Sequence, residues 1–197
     1  MLEQLLAFIS AFVPLFVIID PFVSVPVFCS MLGKRRDYAQ IALEASVVAF
    51  AILVIFTLLG EPLLQLLRIS MGSFRIAGGL LLLYLSFEMF IGKLSSTKRA
   101  AKAIGAVPIG TPMLAGPGAI STAILLASTP GIGLIYTLLA ILVVCALTYV
   151  ILSNARAIYN ALGENDFIVL TRIMGLIAAA IALEFIRLGL LEWGALS

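Results

Sequence analysis

Leu15-Phe16-Val17-Ile18-Ile19-Asp20-Pro21-Phe22 places an acid and a helix-breaking proline in the middle of an apolar run. Later in the chain Thr111-Pro112-Met113-Leu114-Ala115-Gly116-Pro117-Gly118 repeats the pattern. Arg75-Ile76-Ala77-Gly78 returns as Arg172-Ile173-Met174-Gly175 at nearly the same offset. Interrupted hydrophobic segments at corresponding places in two halves are the sequence signature of a secondary transporter's substrate site.

Composition says which solvent surrounds these segments. The apolar fraction is 63% and only 11% of residues are charged, whereas a soluble domain carries about 45–50% and about 25%. A chain this apolar needs a bilayer to cover its surface. Six candidate spans follow: Leu5–Met31 (broken), Gln40–Gly60, Phe74–Ile91, Val107–Ser128 (broken), Leu134–Ser153 and Phe167–Leu190. Each is about the 20 residues a crossing needs, and the short connections leave no room for a soluble domain. The N-terminus lacks the basic start and small-residue cleavage site of a secretory signal, so the first span is expected to be retained.

Three spans per half is an odd number, so the second copy must enter the membrane from the opposite side. The expected fold is an all-α membrane protein: six transmembrane helices as two inverted-topology three-helix repeats, with the first and fourth helices broken. One transmembrane domain covers residues 1–197, with repeat one over 1–92, a basic cytoplasmic linker over 93–106, and repeat two over 107–197. Lys34, Arg35, Arg36, Lys93, Lys98, Arg99, Lys102, Arg156 and Arg172 fall in or beside the first, third and fifth loops. The other side has only Arg68, Arg75 and Arg187. Positive charge stays cytoplasmic, which puts both termini outside.

The residue inventory narrows the chemistry. There is no histidine, which excludes His-based metal ligation, triads and proton relays. No nucleophile elbow, phosphate-binding loop or metalloprotease motif is present. Neither an enzyme nor a resident metal or cofactor is expected. Cys29 and Cys145 lie in or at the edge of apolar spans, read as core packing. A net charge of +2 gives no argument for nucleic acid.

Pro21 has no N–H, so the carbonyl of Val17 loses its helical donor, and Asp20 is biased away from helical angles. Pro117 acts likewise on Met113, while Gly116 and Gly118 add backbone freedom. Each break is expected to split its span into two half-helices joined by a short unwound link, tolerated in a membrane only where it is buried or lines a wet cavity. Half-helices starting there point free N–H groups and positive dipole ends to the membrane centre. That arrangement suits a small zwitterion, with its carboxylate on the N–H groups and its ammonium on freed carbonyls or Asp20. The candidate site is Asp20, Pro21, Phe22, Ser24, Gly116, Pro117, Gly118, Ser121 and Thr122. For Asp20 two roles stay open: capping alone, since Asp-Pro is a good cap and first-position pair, or direct binding of substrate or proton, since an acid at that depth is costly unless partnered.

Arg75 with Glu184, and Glu88 with Arg172, form two candidate structural charge pairs between the third and sixth spans. The competing arrangement has each Arg reaching its own interface and Glu184 pairing locally with Arg187. Glu44, near the cytoplasmic face, reads as water-exposed. Gly78 and Gly79, with Ala178, Ala179, Ala180 and Ala182, read as surfaces for close helix packing.

Phe16-Val-Ile-Ile-Asp-Pro-Phe22, Phe74-Arg-Ile-Ala-Gly-Gly79 and Leu114-Ala-Gly-Pro-Gly-Ala-Ile120 together resemble the MarC family. These are small six-span inner-membrane proteins that include a small neutral amino-acid transporter. The resemblance covers nearly the whole chain. It implies transport of glycine- or alanine-like substrates coupled to a cation gradient, with proton or sodium as the ion. Val23-Ser24 stands where the family often has Gly-Asn, which implies a different substrate preference. The expected function is therefore a secondary transporter of small neutral amino acids, working by alternating access in the cell membrane, with an oligomer compatible. The alternatives are an ion channel or metal-ion transporter built on Asp20 and free carbonyls, and a membrane scaffold that transports nothing.

Overall fold

The computed structural model describes residues 2–32, 37–91 and 114–194. All regular structure among them is helical: α1 Leu2–Ile19, α2 Pro21–Leu32, α3 Tyr38–Leu66, α4 Met71–Ile91, α5 Pro117–Ala127, α6 Gly133–Ser153 and α7 Ala155–Glu192. Five stretches are long and apolar enough to cross a membrane: Leu2–Cys29 (α1 with most of α2), α3, α4, α6 and Asn165–Glu192 of α7. The α5 helix is apolar but shorter. The expected fourth span thus appears as its second half, and the expected linker over 93–106 lies outside the described residues, as do Pro108 and Pro112.

Outward faces show why the bilayer is required. Leu43, Val47, Ile55, Leu58 and Leu59 on α3, and Leu80, Phe87 and Phe90 on α4, are all exposed. So are Leu142, Val143 and Leu147 on α6. Inward faces carry small or well-packed residues instead: Ala42, Ala45, Ala49 and Leu53 from α3, with Ala140, Ile141 and Val144 from α6, belong to one core. A second, smaller core joins Val17, Leu82, Leu125, Ala178, Ala182 and Phe185.

The closest helix pair is α4 with α7, and its sequence explains the intimacy. Gly72, Gly79 and Ser86 recur every seventh residue on α4; Gly175, Ala182 and Gly189 do the same on α7. The two sets meet in antiparallel order. A Cβ at Gly72 would lie 3.2 Å from the Gly189 carbonyl oxygen, one at Gly79 2.8 Å from that of Ala182, and one at Gly175 3.1 Å from that of Ser86. A seven-residue repeat keeps one face of each helix on its partner, and small residues let the backbones approach where lipid gives no hydrophobic drive. Gly79 and Ala182 act as expected from sequence. Gly78 also permits close packing, against α5, whereas Ala180 is exposed to the outside.

This register decides the charge pairs. Glu192 lies three residues past Gly189 and continues the seam, so Arg75 pairs with it at 3.3 Å. Glu184 lies two residues past Ala182, which turns it about 200° away at 3.6 residues per turn. It pairs locally with Arg187 at 2.6 Å, both side chains half exposed. Glu88 is likewise two residues beyond the seam position Ser86 and accepts a hydrogen bond from Tyr84 at 2.8 Å. The expected Arg75–Glu184 and Glu88–Arg172 pairs do not form; Arg172 is exposed on α7. Glu44 is exposed as expected and accepts from Gln40.

Near its start α7 bends at Gly163, whose φ of 78° and ψ of 169° belong to glycine. The short arm Ala155–Leu162 folds back so that Tyr159 stacks on Phe167 at 5.7 Å between ring centroids.

Candidate functional site

The first break is confined to a single residue. Asp20 adopts φ 40°, the left-handed region that Asp tolerates better than most residues. Its N–H still reaches the Phe16 carbonyl at 3.0 Å, and its own carbonyl accepts from the Ser24 N–H at 3.3 Å. Between these two bonds the ladder lapses: Pro21 offers no N–H to Val17, the Val23 N–H turns to the Asp20 side chain, and no backbone bond joins Phe22 to Ile18 or Val23 to Ile19. This is tighter than the unwound link expected from sequence, because one left-handed turn re-enters the helix at once. The aromatic row Phe8, Phe12 and Phe16 stacks along α1. Phe22 continues it past the break by meeting Phe16 edge-on at 6.2 Å.

The Asp20 carboxylate divides its oxygens. Oδ1 accepts from the Val23 N–H at 3.1 Å, which caps α2 in the usual manner. Oδ2 is buried and has no partner among the described residues. Asp20 as a whole is only 6% exposed. An unmet carboxylate oxygen at this depth costs several kcal/mol by order of magnitude, far more than a cap returns. One oxygen thus caps α2, and the other is left unmatched.

The second break is built differently. Gly116 is extended at φ −71° and ψ 170° and stands as the N-cap of α5, with Pro117 in the first turn and no side-chain cap. Its carbonyl accepts from the Ile120 N–H at 3.0 Å. The N–H groups of Gly118 and Ala119 precede the first intrahelical donor and have no carbonyl four residues back within α5. Leu114 and Ala115, just before the break, are buried. The two breaks are neighbours: a Cβ at Gly118 would lie 3.6 Å from Ile18 Cγ2, two residues before Asp20.

Hydroxyls on α5 follow. Ser121 donates to the Gly118 carbonyl at 3.0 Å and lies against Gly78 of α4, where a Cβ would be 3.2 Å from its Oγ. Thr122 is fully buried, and its Oγ1 has no partner among the described residues. Every other described threonine donates to the carbonyl four residues back: Thr57, Thr129, Thr137, Thr148 and Thr171. For Thr122 that carbonyl is Gly118's, already taken by Ser121. Side chains tilt toward a helix's N-terminus, so the Thr122 hydroxyl lies toward the first turn of α5, where Gly118 and Ala119 stand. Ser24, by contrast, spends its hydroxyl proton on the Asp20 carbonyl at 3.2 Å.

Of the residues singled out from sequence, Asp20, Pro21, Ser24, Gly118, Ser121 and Thr122 are buried in this region. Phe22 and Gly116 are half-buried, and Pro117 is exposed. The sequence reading missed the wall formed by Ile18, Leu82 and Leu85, because nothing distinguishes these residues from any other apolar residue.

Long apolar helices with lipid-facing outer surfaces, set around buried polar atoms, define a multi-pass helical integral membrane protein. Residues 5–194 match the model of the MarC family, described as MarC family integral membrane protein, and the chain belongs to that family. It is 37% identical to a UPF0056 membrane protein of Methanocaldococcus jannaschii, over 93% of this chain and 95% of the relative. It is 33% identical to one of Pyrococcus horikoshii, over 96% and 97%. The UPF0056 membrane protein YhcE of Escherichia coli is 34% identical, over 91% of this chain and 89% of its own. No solved structure matches the chain.

Proposed function

We propose that this protein is a secondary transporter of small neutral amino acids, holding its substrate between the two helix breaks. The observation that carries the reading is the opposed pair of unmet groups. Asp20 Oδ2 is an acceptor without a donor, and the α5 N-terminus is a set of donors without a side-chain cap. A zwitterion answers both, with its ammonium on Asp20 and its carboxylate on the Gly118 and Ala119 N–H groups and the Thr122 hydroxyl. The positive end of the helix dipole favours the carboxylate there.

In this reading the chain is one transmembrane domain of two inverted three-helix repeats in the cell membrane, with both termini outside. Antiparallel packing of α4 on α7 supports the inverted relation, since each is the third helix of its half. Proton or sodium serves as the coupling ion for alternating access around the midplane site. The test is exchange of radiolabelled glycine and alanine in proteoliposomes, with and without ion gradients, for the wild-type chain and Asp20→Asn. Asn caps a helix about as well as Asp, so the variant should insert and melt normally yet lose exchange. Wild-type exchange by Asp20→Asn, at neutral and acidic pH alike, would remove Asp20 from the site.

A further inference from the structure

With the carboxylate and ammonium assigned to opposite breaks, the third substituent of the substrate's α-carbon must face whatever else surrounds Gly118. The three side-chain atoms nearest that position are all aliphatic. The position a Cβ would take on Gly118 is 3.2 Å from Leu85 Cδ1, 3.6 Å from Ile18 Cγ2 and 3.8 Å from Leu82 Cδ1. A contact of 3.2 Å is already tight for carbon, so Leu85 closes the space beside the open helix end. Leu82 is almost completely buried at 2% exposure and is fixed in the second core with Val17, Leu125 and Ala182. Leu85 is only partly buried and belongs to neither core cluster, so it is the member of the wall with room to alter.

We propose that Leu85 is the specificity-determining residue: its side chain sets the size limit for the side chain of the transported amino acid. The proposal rests on the zwitterion reading above and adds a residue from outside the two breaks. Leu85, Ile18 and Leu82 carry no hydrogen-bonding group, so these three side chains select by volume alone. Volume selection in an apolar pocket discriminates about 10–200-fold per methylene. Removing three carbons from Leu85 should therefore admit valine at little cost to glycine.

Proteoliposomes with wild-type, Leu85→Ala, Leu85→Met and Leu80→Ala chains would be assayed for exchange of glycine, alanine, valine and leucine. Leu80 is 55% exposed on the lipid face of the same helix and controls for helix perturbation. The valine-to-glycine ratio should rise at least about 10-fold in Leu85→Ala and stay at the wild-type value in Leu85→Met and Leu80→Ala. An unchanged ratio in a Leu85→Ala chain that still exchanges glycine overturns the proposal and leaves the transport reading intact. Loss of all exchange by an inserted, normally melting Leu85→Ala chain overturns it too, because Leu85 would then be structural. A wild-type chain that exchanges none of the four amino acids overturns the transport reading and this proposal with it.

Discussion

Gly79→Ala is the smallest change that tests the α4–α7 seam. The added methyl would stand 2.7 Å from Ile186 Cγ1, 2.8 Å from the Ala182 carbonyl oxygen and 3.2 Å from the Ile186 nitrogen. A side chain can swing away, but the two backbone atoms move only with α7. Restoring the 2.8 Å contact to an ordinary 3.4 Å moves the helices apart by about 0.6 Å, near the 0.5–1 Å gap that forfeits a quarter to a half of a contact's dispersion energy. Because Gly72–Gly189 and Ser86–Gly175 lie on the same straight seam, the loss spreads along both helices. Overpacking of this kind costs about 1–3 kcal/mol. In a chain this size that reads as a Tm lower by roughly 2–12 °C, at about 2–4 °C per kcal/mol. Thermal unfolding of the detergent-solubilised protein would measure it. Ala77→Val, on the exposed side of the same helix, should stay within about 0.5 kcal/mol of wild type. Adding Ile186→Ala to Gly79→Ala should not restore stability, since the clash with the Ala182 carbonyl remains. A Gly79→Ala chain as stable as wild type, or full rescue by Ile186→Ala, would refute backbone contact as the basis of the seam.

The remaining predictions concern charge and orientation. Arg75→Glu should lower the yield of folded protein, and Glu192→Arg should restore it where Glu184→Arg does not; rescue by Glu184→Arg alone would mean the seam is set two turns off. A phosphatase fused after Ser197 should be active and one inserted between Lys98 and Arg99 silent. The opposite pattern would reverse the proposed orientation.

How much of this was legible beforehand depended on whether the signal was local. Asp20-Pro21 and Gly116-Pro117 are neighbours in sequence, and their effect on a helix is fixed by missing N–H groups and φ preference, so the breaks could be read directly. That one Asp20 oxygen caps while the other stays free required knowing what packs around it. The Arg75 partner was misjudged for a different reason. Glu184 sits at the same end of the sixth span as Arg75 does of the third, but the partner is decided by angular position on α7, which sets Glu192 toward Arg75. The seven-residue spacing of Gly175, Ala182 and Gly189 was the usable clue. Thr122 was named with Ser121 as a hydroxyl near the break, but competition for the Gly118 carbonyl, which leaves only Thr122 free, depends on side-chain rotamers that no pattern encodes.

The α4–α7 seam also constrains the order in which the molecule can be made. The α4 helix is synthesised before α5, α6 and α7, so it reaches the bilayer while its closest neighbour does not yet exist. Until α7 arrives, the notches at Gly72 and Gly79 are filled by lipid chains, and Arg75 has no Glu192 to meet. Insertion of α4 is therefore provisional: its hydrophobic length can hold it in the membrane, but not its final rotation. Only the second half of the nascent chain fixes which face of α4 turns inward, and hence where Leu82 and Leu85 stand relative to the helix breaks. A ribosome that stalls before α7 leaves a threaded chain whose third helix has no fixed inner face.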